Sequence, residues 1–383
     1  MRLRAKHGRY AVTLGPEIGS GGQGTVYRDA TRPDVALKLP DHPPQDYERK
    51  LDAMIAQPPH GLHDPAAPAA AAWPSDVVID ADGRCVGHVT PLVPGRIPIG
   101  ELFNPATCPA GTDYRVLVTA ARNVCTIAAR FHAAGVVGGD VFNPRNLLAD
   151  PASGNVTAID CDSAQVRAGG RVFEGQGWMV EYTAPRFQTG QSSGTSRTPA
   201  DDQFAVHVLG FQALMGGHHP YGGVPRRGGK AAPIGTRIAN GWWAYGRKGA
   251  YRPPKSAPPF DGLPADLRSL FRQCFEDGHA DPIRRPAAQT LADALDDWLA
   301  AGVRPPTRAT PAGPCPPAAV PEWAVRAGNW IEKHPGRTWA AIAAALGLIA
   351  GCVWWTNREP EPPGPGGKPT PALWKKLRPE SGR

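Results

Sequence analysis

Gly19, Gly21 and Gly24 fall at G-x-G-x-x-G spacing, and the residues after them do not read as a helix. Glycines at these intervals let backbone N–H groups approach a phosphate chain with no Cβ in the way. A dinucleotide-binding βαβ unit needs a helix to open directly after the glycines. Here the chain continues TVYRDATRPDVALKLP, which reads as strand, turn, strand. That excludes the dinucleotide version and leaves a glycine-rich hairpin, with residues 9–14 and 25–27 expected as its flanking strands. Residues 35–38 are then a third strand. Its two-residue alternation points Ala36 and Lys38 to one side, beneath the glycines, where an ammonium can neutralise phosphate oxygens.

A second constraint lies in residues 138–162, GGDVFNPRNLLADPASGNVTAIDCD. Asp140 is followed by Asn146 and then by Leu147 and Leu148, which fits a loop running into a strand. DPASGN supplies a turn, and Val156, Ala158 and Ile159 form a return strand that delivers Asp160 and Asp162. A carboxylate, an amide and a second carboxylate, brought together by a hairpin, suit Mg²⁺ held against phosphates. One carboxylate left off the metal can orient a substrate hydroxyl.

Elsewhere, residues 45–56 carry Tyr47, Leu51, Met54 and Ile55 at helical spacing and stop at Pro58-Pro59. Residues 76–80 and 85–92 read as a hairpin, and 91–95 as a connection to a helical half. Residues 114–134 are apolar nearly all round, as expected of a buried central helix, with Gly135 as its C-cap. Asp202 heads another helix, where its carboxylate caps the N-terminus or braces the loop at Asp140. His218 and His219 have no partner cluster and read as loop residues. Trp242, Trp243 and Tyr245 break a Gly/Pro/Arg-rich loop that packs them inward, and two helices close residues 263–301.

Taken together, the glycine loop, VALK, AAWPSDVVIDADGRCVGHVTPLVPG, GGDVFNPRN, AIDCDSAQV, EYTAPRFQ and DDQFAVHVLGFQALMGGHHPYGG resemble a protein kinase catalytic domain over about residues 1–300. In particular they resemble a bacterial family of kinase-like proteins often encoded beside PP2C-type phosphatases and von Willebrand factor A domain proteins. The resemblance implies an α+β, two-lobed fold with a small lobe over 1–94 and a large lobe over 95–302. It implies transfer of the γ-phosphoryl group of ATP, with Mg²⁺, to Ser or Thr of a protein substrate. A PP2C-type phosphatase and a von Willebrand factor A domain protein become expected partners. Gly19, Ser20, Gly21, Gly24 and Val26 would cover the nucleotide, and Lys38 would position its phosphates. Adenine would lie against Ala36 and meet the backbone near Leu92 and Val93. Glu48 would pair with Lys38, with Asp52 one turn on as the alternative. Asp140 would accept the substrate hydroxyl proton, while Asn146 and Asp160 would bind Mg²⁺.

Four departures from the family pattern keep a nucleotide-binding pseudokinase open as a second reading, ahead of a small-molecule phosphotransferase. The usual His-Arg before the catalytic Asp is Gly138-Gly139. The step from Asp140 to Asn146 is one residue longer than usual, with Phe142 or Asn143 inserted, so Asn143 is the alternative metal-binding amide. Asp160-Cys161-Asp162 replaces Asp-Phe-Gly, and Asp162 is either a second metal ligand or a turn cap. Ala184-Pro185-Arg186 replaces Ala-Pro-Glu, so the buried ion pair expected with Arg285 is either rebuilt or absent.

The net charge of +8 is unevenly placed: residues 301–383 hold 11 Lys/Arg against 5 Asp/Glu, so the first 300 are nearly neutral. This excludes a nucleic-acid-binding body. Seven scattered cysteines with no C-x-x-C pair argue against a disulfide framework or zinc site and for a reducing compartment. The first residues hold no apolar run long enough for a signal peptide. Residues 303–337 form a Pro-rich linker. Residues 338–355 are eighteen uncharged residues, the lower limit for a bilayer span, with Trp339, Trp354 and Trp355 at their ends. They are expected as a single transmembrane helix in a bacterial inner membrane, with the kinase-like domain on the cytoplasmic side, where ATP is. Residues 356–383 read as a disordered tail.

Overall fold

Antiparallel pairing organises the N-terminal part of the chain. The computed structural model describes residues 3–64, 66–188 and 196–306. The elements of the first part are β1 (Leu3–Ala5), β2 (Ala11–Val12), β3 (Leu14–Gly21), β4 (Gly24–Asp29), β5 (Val35–Leu39), helix α1 (Tyr47–Ala56), β6 (Ala69–Ala71), β7 (Asp76–Ile79) and β8 (Cys85–Pro91). Seven of these strands form one sheet in the order β2-β1-β7-β8-β5-β4-β3. The glycine hairpin is β3 with β4, paired out to Gly21 opposite Gly24.

The expected strand over 9–14 is therefore divided. Its first half, β2, pairs instead with β1 in an added hairpin at the sheet edge, where β1 runs antiparallel to β7. The cause is Asp76, whose carboxylate accepts the N–H groups of His7 (2.9 Å) and Gly8 (2.8 Å) and so turns the chain there. Helix α1 packs on the sheet through Tyr47 and Leu51 against Val77 and Ile79.

The second part is mostly helical. Strands β9 (Ile97–Pro98), β10 (Leu147–Ala149) and β11 (Val156–Ala158) join β6 in a small sheet, with β6 parallel to β11. Helices α2 (Ile99–Phe103) and α3 (Tyr114–Ala133) precede the loop at Asp140, and hairpin β12 (Val166–Ala168) with β13 (Arg171–Phe173) follows Asp162. Asp113 caps α3 by accepting from Arg115 N–H (2.8 Å). Val118, Ala121, Val124, Cys125, Ala128 and Phe131 of α3 are fully buried, and the helix packs against α4 (Pro199–Leu214) and α8 (Ala288–Ala301).

Between α4 and α8 lie β14 (Val224–Pro225), α5 (Ile234–Ala239), β15 (Tyr251–Arg252), α6 (Ala265–Arg272) and α7 (Gly278–Ala280). Trp243 is buried there against Phe211, Phe260 and Phe275, and Phe211 meets Phe271 edge-on at 5.2 Å. This aromatic core anchors the Gly/Pro/Arg-rich loop. No helix among the described residues is long and apolar enough to cross a membrane. The span expected over 338–355 and the tail over 356–383 lie outside the described residues, as does nearly all of the 303–337 linker.

Candidate active site

Two cavities meet at Lys38 and Asp160. One, of about 420 Å³, lies between Val26, Ala36, Ala72 and Thr90 on one side and Leu148 and Ile159 on the other, with Leu92 and Val93 at its edge. The other, of about 750 Å³, runs beneath Gly19–Gly24 to Asp140, Asn146 and Asp160. Both are of a size that holds a small ligand. Strand register sets the edge of the first: Pro91 stands opposite Val35, and Leu92 N–H donates to Asp34 C=O (2.8 Å). Backbone groups alternate along an extended chain, so Pro91 C=O and Val93 N–H face away from β5, and both residues line the cavity. Leu92 and Val93, expected near the adenine, both line this cavity, and the Leu92 N–H is used within the sheet.

Lys38 is 5% exposed on β5, and its ammonium reaches Asp160 and, at 2.6 Å, Asp162. Burial works against that charge, but the Asp162 and Asp160 carboxylates outweigh it and raise the pKa above the ordinary lysine value. Asp160 takes a left-handed backbone (φ +59°), uncommon outside glycine, which aims its carboxylate into the cavity. Burial, offset by Lys38 and reinforced by Asp162, raises its pKa.

The expected Glu48–Lys38 pair is not formed. Glu48 sits 2.8 Å from Lys6 on the outer face of α1, and Asp52 meets Lys6 (2.7 Å) and His7 (2.9 Å) on that same face. Helix α1 turns Tyr47, Lys50, Leu51 and Met54 inward instead. Asp162, 7% exposed, fills the gap: Oδ1 holds Lys38 and Oδ2 accepts from the Tyr47 hydroxyl at 3.0 Å. Tyr47 has one proton to give, so His88 carries its own on Nδ1 and donates it to the Tyr47 oxygen at 2.9 Å. Burial holds His88 down at about 4, hence neutral. Burial disfavours the Asp162 anion too, yet His88, Lys38 and Tyr47 together keep its pKa at about 2. Asp162 is enclosed and lines neither cavity, whereas Asp160 lines both, so of the two Asp160 is the one placed to meet a metal ion.

The loop at Asp140 is built from the inside out. Asp202 of α4 accepts the N–H groups of Gly138 (2.7 Å) and Gly139 (2.9 Å) and lies 3.0 Å from His132, so it braces this loop, while Thr198 and Asp201 form the helix capping box. Phe142 is fully buried, and a Cβ on Gly138 would fall 2.3 Å from its ring. The Phe142 ring therefore takes the room a side chain at 138 would need. Gly138→Ala is expected to destabilise the fold by about 1–3 kcal/mol, much less so in a Phe142→Leu background. Thermal denaturation of the two singles and the double checks this, and additive effects would refute the packing link.

Asn143 Oδ1 accepts from Arg145 N–H (2.8 Å) and Asn146 N–H (3.1 Å), so it shapes the turn. Asn146 donates its amide to Asp140 C=O (3.0 Å), and its Oδ1 has no hydrogen bond among the described residues. Of the two amides, Asn146 is the one with an oxygen to spare. Burial raises the Asp140 pKa, opposed by a hydrogen bond from Asn143 and by the charge of Arg197. Arg197 occupies the space a side chain at 139 would fill and donates to Gly177 C=O (2.9 Å). Gly177 passes over Asp140 so closely that a Cβ would lie 2.7 Å from Oδ2, and Trp178 beyond it is 64% exposed.

The ion pair expected at Arg186 is rebuilt. Arg186 Nε donates to Asp201 at 2.7 Å, while Arg285 turns to the carbonyls of Ala200 (2.7 Å) and Gly278 (2.9 Å). His219 is half-buried and bonded to Glu181 C=O (2.9 Å), and no cluster of three or more metal-ligating side chains occurs among the described residues.

Sequence reasoning missed Tyr47, His88, Arg197 and Gly177. His88 was within reach, because β5–β8 pairing places it opposite Lys38.

A curled antiparallel sheet roofing a cleft, with a helical half beneath it, is the organisation of a protein kinase-like domain. Comparison with known proteins points the same way. Protein kinase YegI of Escherichia coli (strain K12) is 33% identical over 296 residues, covering 74% of this chain and 44% of that protein. Serine/threonine-protein kinase PknA of Mycobacterium tuberculosis (strain ATCC 25618 / H37Rv) is 30% identical over 198 residues, 50% of this chain and 38% of that protein. No family model matches the chain. The likenesses are to bacterial protein kinases and support a kinase-like family, and the chain spans less than half the length of these curated relatives.

Proposed function

We propose that this chain is an ATP- and Mg²⁺-dependent protein serine/threonine kinase, anchored by residues 338–355 in a bacterial inner membrane with its catalytic part in the cytoplasm. One observation carries the reading. A buried lysine lies beneath a glycine hairpin, and Asp140, Asn146 and Asp160 share the cavity it opens into. The donor set fits Mg²⁺, since Asp160 offers carboxylate oxygen and Asn146 a free amide oxygen, and hard oxygen donors suit that ion.

Pro91 C=O and Val93 N–H present the acceptor and donor that an adenine edge needs. Gly19 and Gly21 have open space where a Cβ would stand, so a phosphate chain can approach the hairpin backbone above the cavity that Gly24 also lines, and Lys38 offsets phosphate charge. Asn146 and Asp160 would hold Mg²⁺, which with ATP supplies a polarised γ-phosphoryl group. Asp140 orients the substrate hydroxyl and accepts its proton; a carboxylate with a raised pKa is the better acceptor. Trp178 and Val180 offer exposed apolar surface beside Asp140 for side chains that flank a protein acceptor. A PP2C-type phosphatase and a von Willebrand factor A domain protein are the partners proposed.

A nucleotide-binding pseudokinase scaffold is favoured by one contact, the Gly177 backbone lying across the Asp140 carboxylate. Titration of ATP into the full chain tests the shared premise of both readings. Binding should require Mg²⁺ and weaken about tenfold or more in Asp160→Asn, since a metal-bridged contact is lost. Equal affinity with and without Mg²⁺ would contradict the metal assignment.

A further inference from the structure

We propose that Asp162 and Tyr47 are the positioning residues of Lys38, replacing an acidic side chain of α1. This rests on the nucleotide-binding reading of the cleft and deepens it. A buried ammonium left without counter-charge is strongly destabilising, so its partners decide where it sits. The two acids of α1 that could serve, Glu48 and Asp52, both face Lys6 on the outside of the molecule. The inner face of α1 offers a phenol in their stead. Its hydroxyl reaches Asp162 Oδ2, leaving Oδ1 for Lys38 at 2.6 Å, and His88 closes the chain from the strand opposite. In this described cluster neither Asp162 oxygen is unpaired, and the tyrosine hydroxyl both donates and accepts.

The arrangement divides labour between two neighbouring carboxylates. Asp160 is open to the cavity and is the one suited to a metal, whereas Asp162 is enclosed and stays with Lys38. Were Asp160 to hold an ion, Lys38 would keep one counter-charge in Asp162, and its remaining donors would be available to phosphates. Without Asp162, Lys38 would have Asp160 alone, and lysine and metal would compete for it. Two consequences follow. Loss of Asp162 should weaken ATP binding and raise the Mg²⁺ concentration needed for it. Loss of the α1 acids should do neither.

The test is calorimetric titration of ATP into the full chain across a Mg²⁺ series, for wild type, Asp162→Asn, Tyr47→Phe, Glu48→Gln and the Asp162→Asn/Tyr47→Phe double variant. Melting temperatures without nucleotide check that each is folded. Asp162→Asn should weaken ATP about tenfold or more and shift half-saturation in Mg²⁺ upward by about fivefold, as expected when a charge-assisted hydrogen bond is removed. Tyr47→Phe, which preserves packing, should weaken ATP by about threefold, the scale of one neutral hydrogen bond. The double variant should be no worse than Asp162→Asn, because both act through one chain of contacts. Glu48→Gln should match wild type. The assignment is overturned if Glu48→Gln weakens ATP as much as Asp162→Asn. It is equally overturned if folded Asp162→Asn or Tyr47→Phe keeps wild-type affinity and Mg²⁺ dependence. Should wild type bind no ATP at any Mg²⁺ concentration, the nucleotide-binding reading itself falls, and this assignment with it.

Discussion

Asp140→Asn is expected to cut turnover by about a thousandfold, within the range for losing a positioned proton acceptor, without lowering the melting temperature. The second half of that expectation follows from the sign of the Asp140 shift. Burial raises its pKa in the folded chain, so the fold disfavours the carboxylate relative to the unfolded state. At neutral pH the charge is present and costs stability; the cost shrinks once pH falls below the raised value and is gone below the ordinary aspartate pKa. An uncharged isostere removes that cost, while Asp202 still holds the loop through Gly138 and Gly139. Activity should also fall on the acid side at a pH above the ordinary aspartate range, because the proton acceptor must be ionised. A variant that unfolds readily, or one that keeps turnover, would contradict the role given to Asp140.

Lys50→Met should stabilise the protein at pH 7, by about 1–3 kcal/mol. Lys50 is 4% exposed on the inner face of α1, with its ammonium on Glu174 C=O at 3.1 Å. Burial, aided by nearby Lys38 and opposed by Asp162, pushes its pKa down to about 8 from 10.5. A shift of that size corresponds to about 3 kcal/mol against folding while the group is charged, less the hydrogen bond given up on substitution. Between pH 8 and 10.5 the folded lysine has lost its proton while the unfolded one keeps it, so wild type gains stability as pH rises through that window. The variant lacks this slope. Denaturant unfolding of both proteins at pH 7 and pH 9.5 should show a gap that narrows at the higher pH. A variant less stable at pH 7, or a gap that ignores pH, would show that Lys50 is better solvated than its burial implies.

How much of this was readable in the sequence depended on whether a residue's direction is fixed locally. Lys38 and Ala36 lie on a strand, where a period of two decides the face, and the glycine spacing decides what lies above them. Asp140, Asn146 and Asp160 sit on a loop and hairpin of short sequence span, and the structure brings them into one cavity with Lys38. Glu48 was harder, because on a helix one residue of rotation exchanges inside for outside. Tyr47 and Lys50 define the inner face, so Glu48 turns out to Lys6. The true partner of Lys38 comes from 124 positions away, which no local pattern encodes. The same holds for Arg186 with Asp201, and for Phe142, whose ring explains the glycine at 138 only once both are packed. The added β1–β2 hairpin was hidden for a related reason, since the acid that turns it, Asp76, lies on another strand.

The most direct measurement follows phosphate from γ-labelled ATP, with Mg²⁺, into protein, using the full wild-type chain with a generic basic acceptor and Asp140→Asn alongside. Label should appear on serine or threonine of the acceptor or of the chain itself, and should vanish without Mg²⁺ and in the variant. No label from wild type, while ATP still raises its melting temperature, would contradict phosphoryl transfer and leave a nucleotide-binding scaffold.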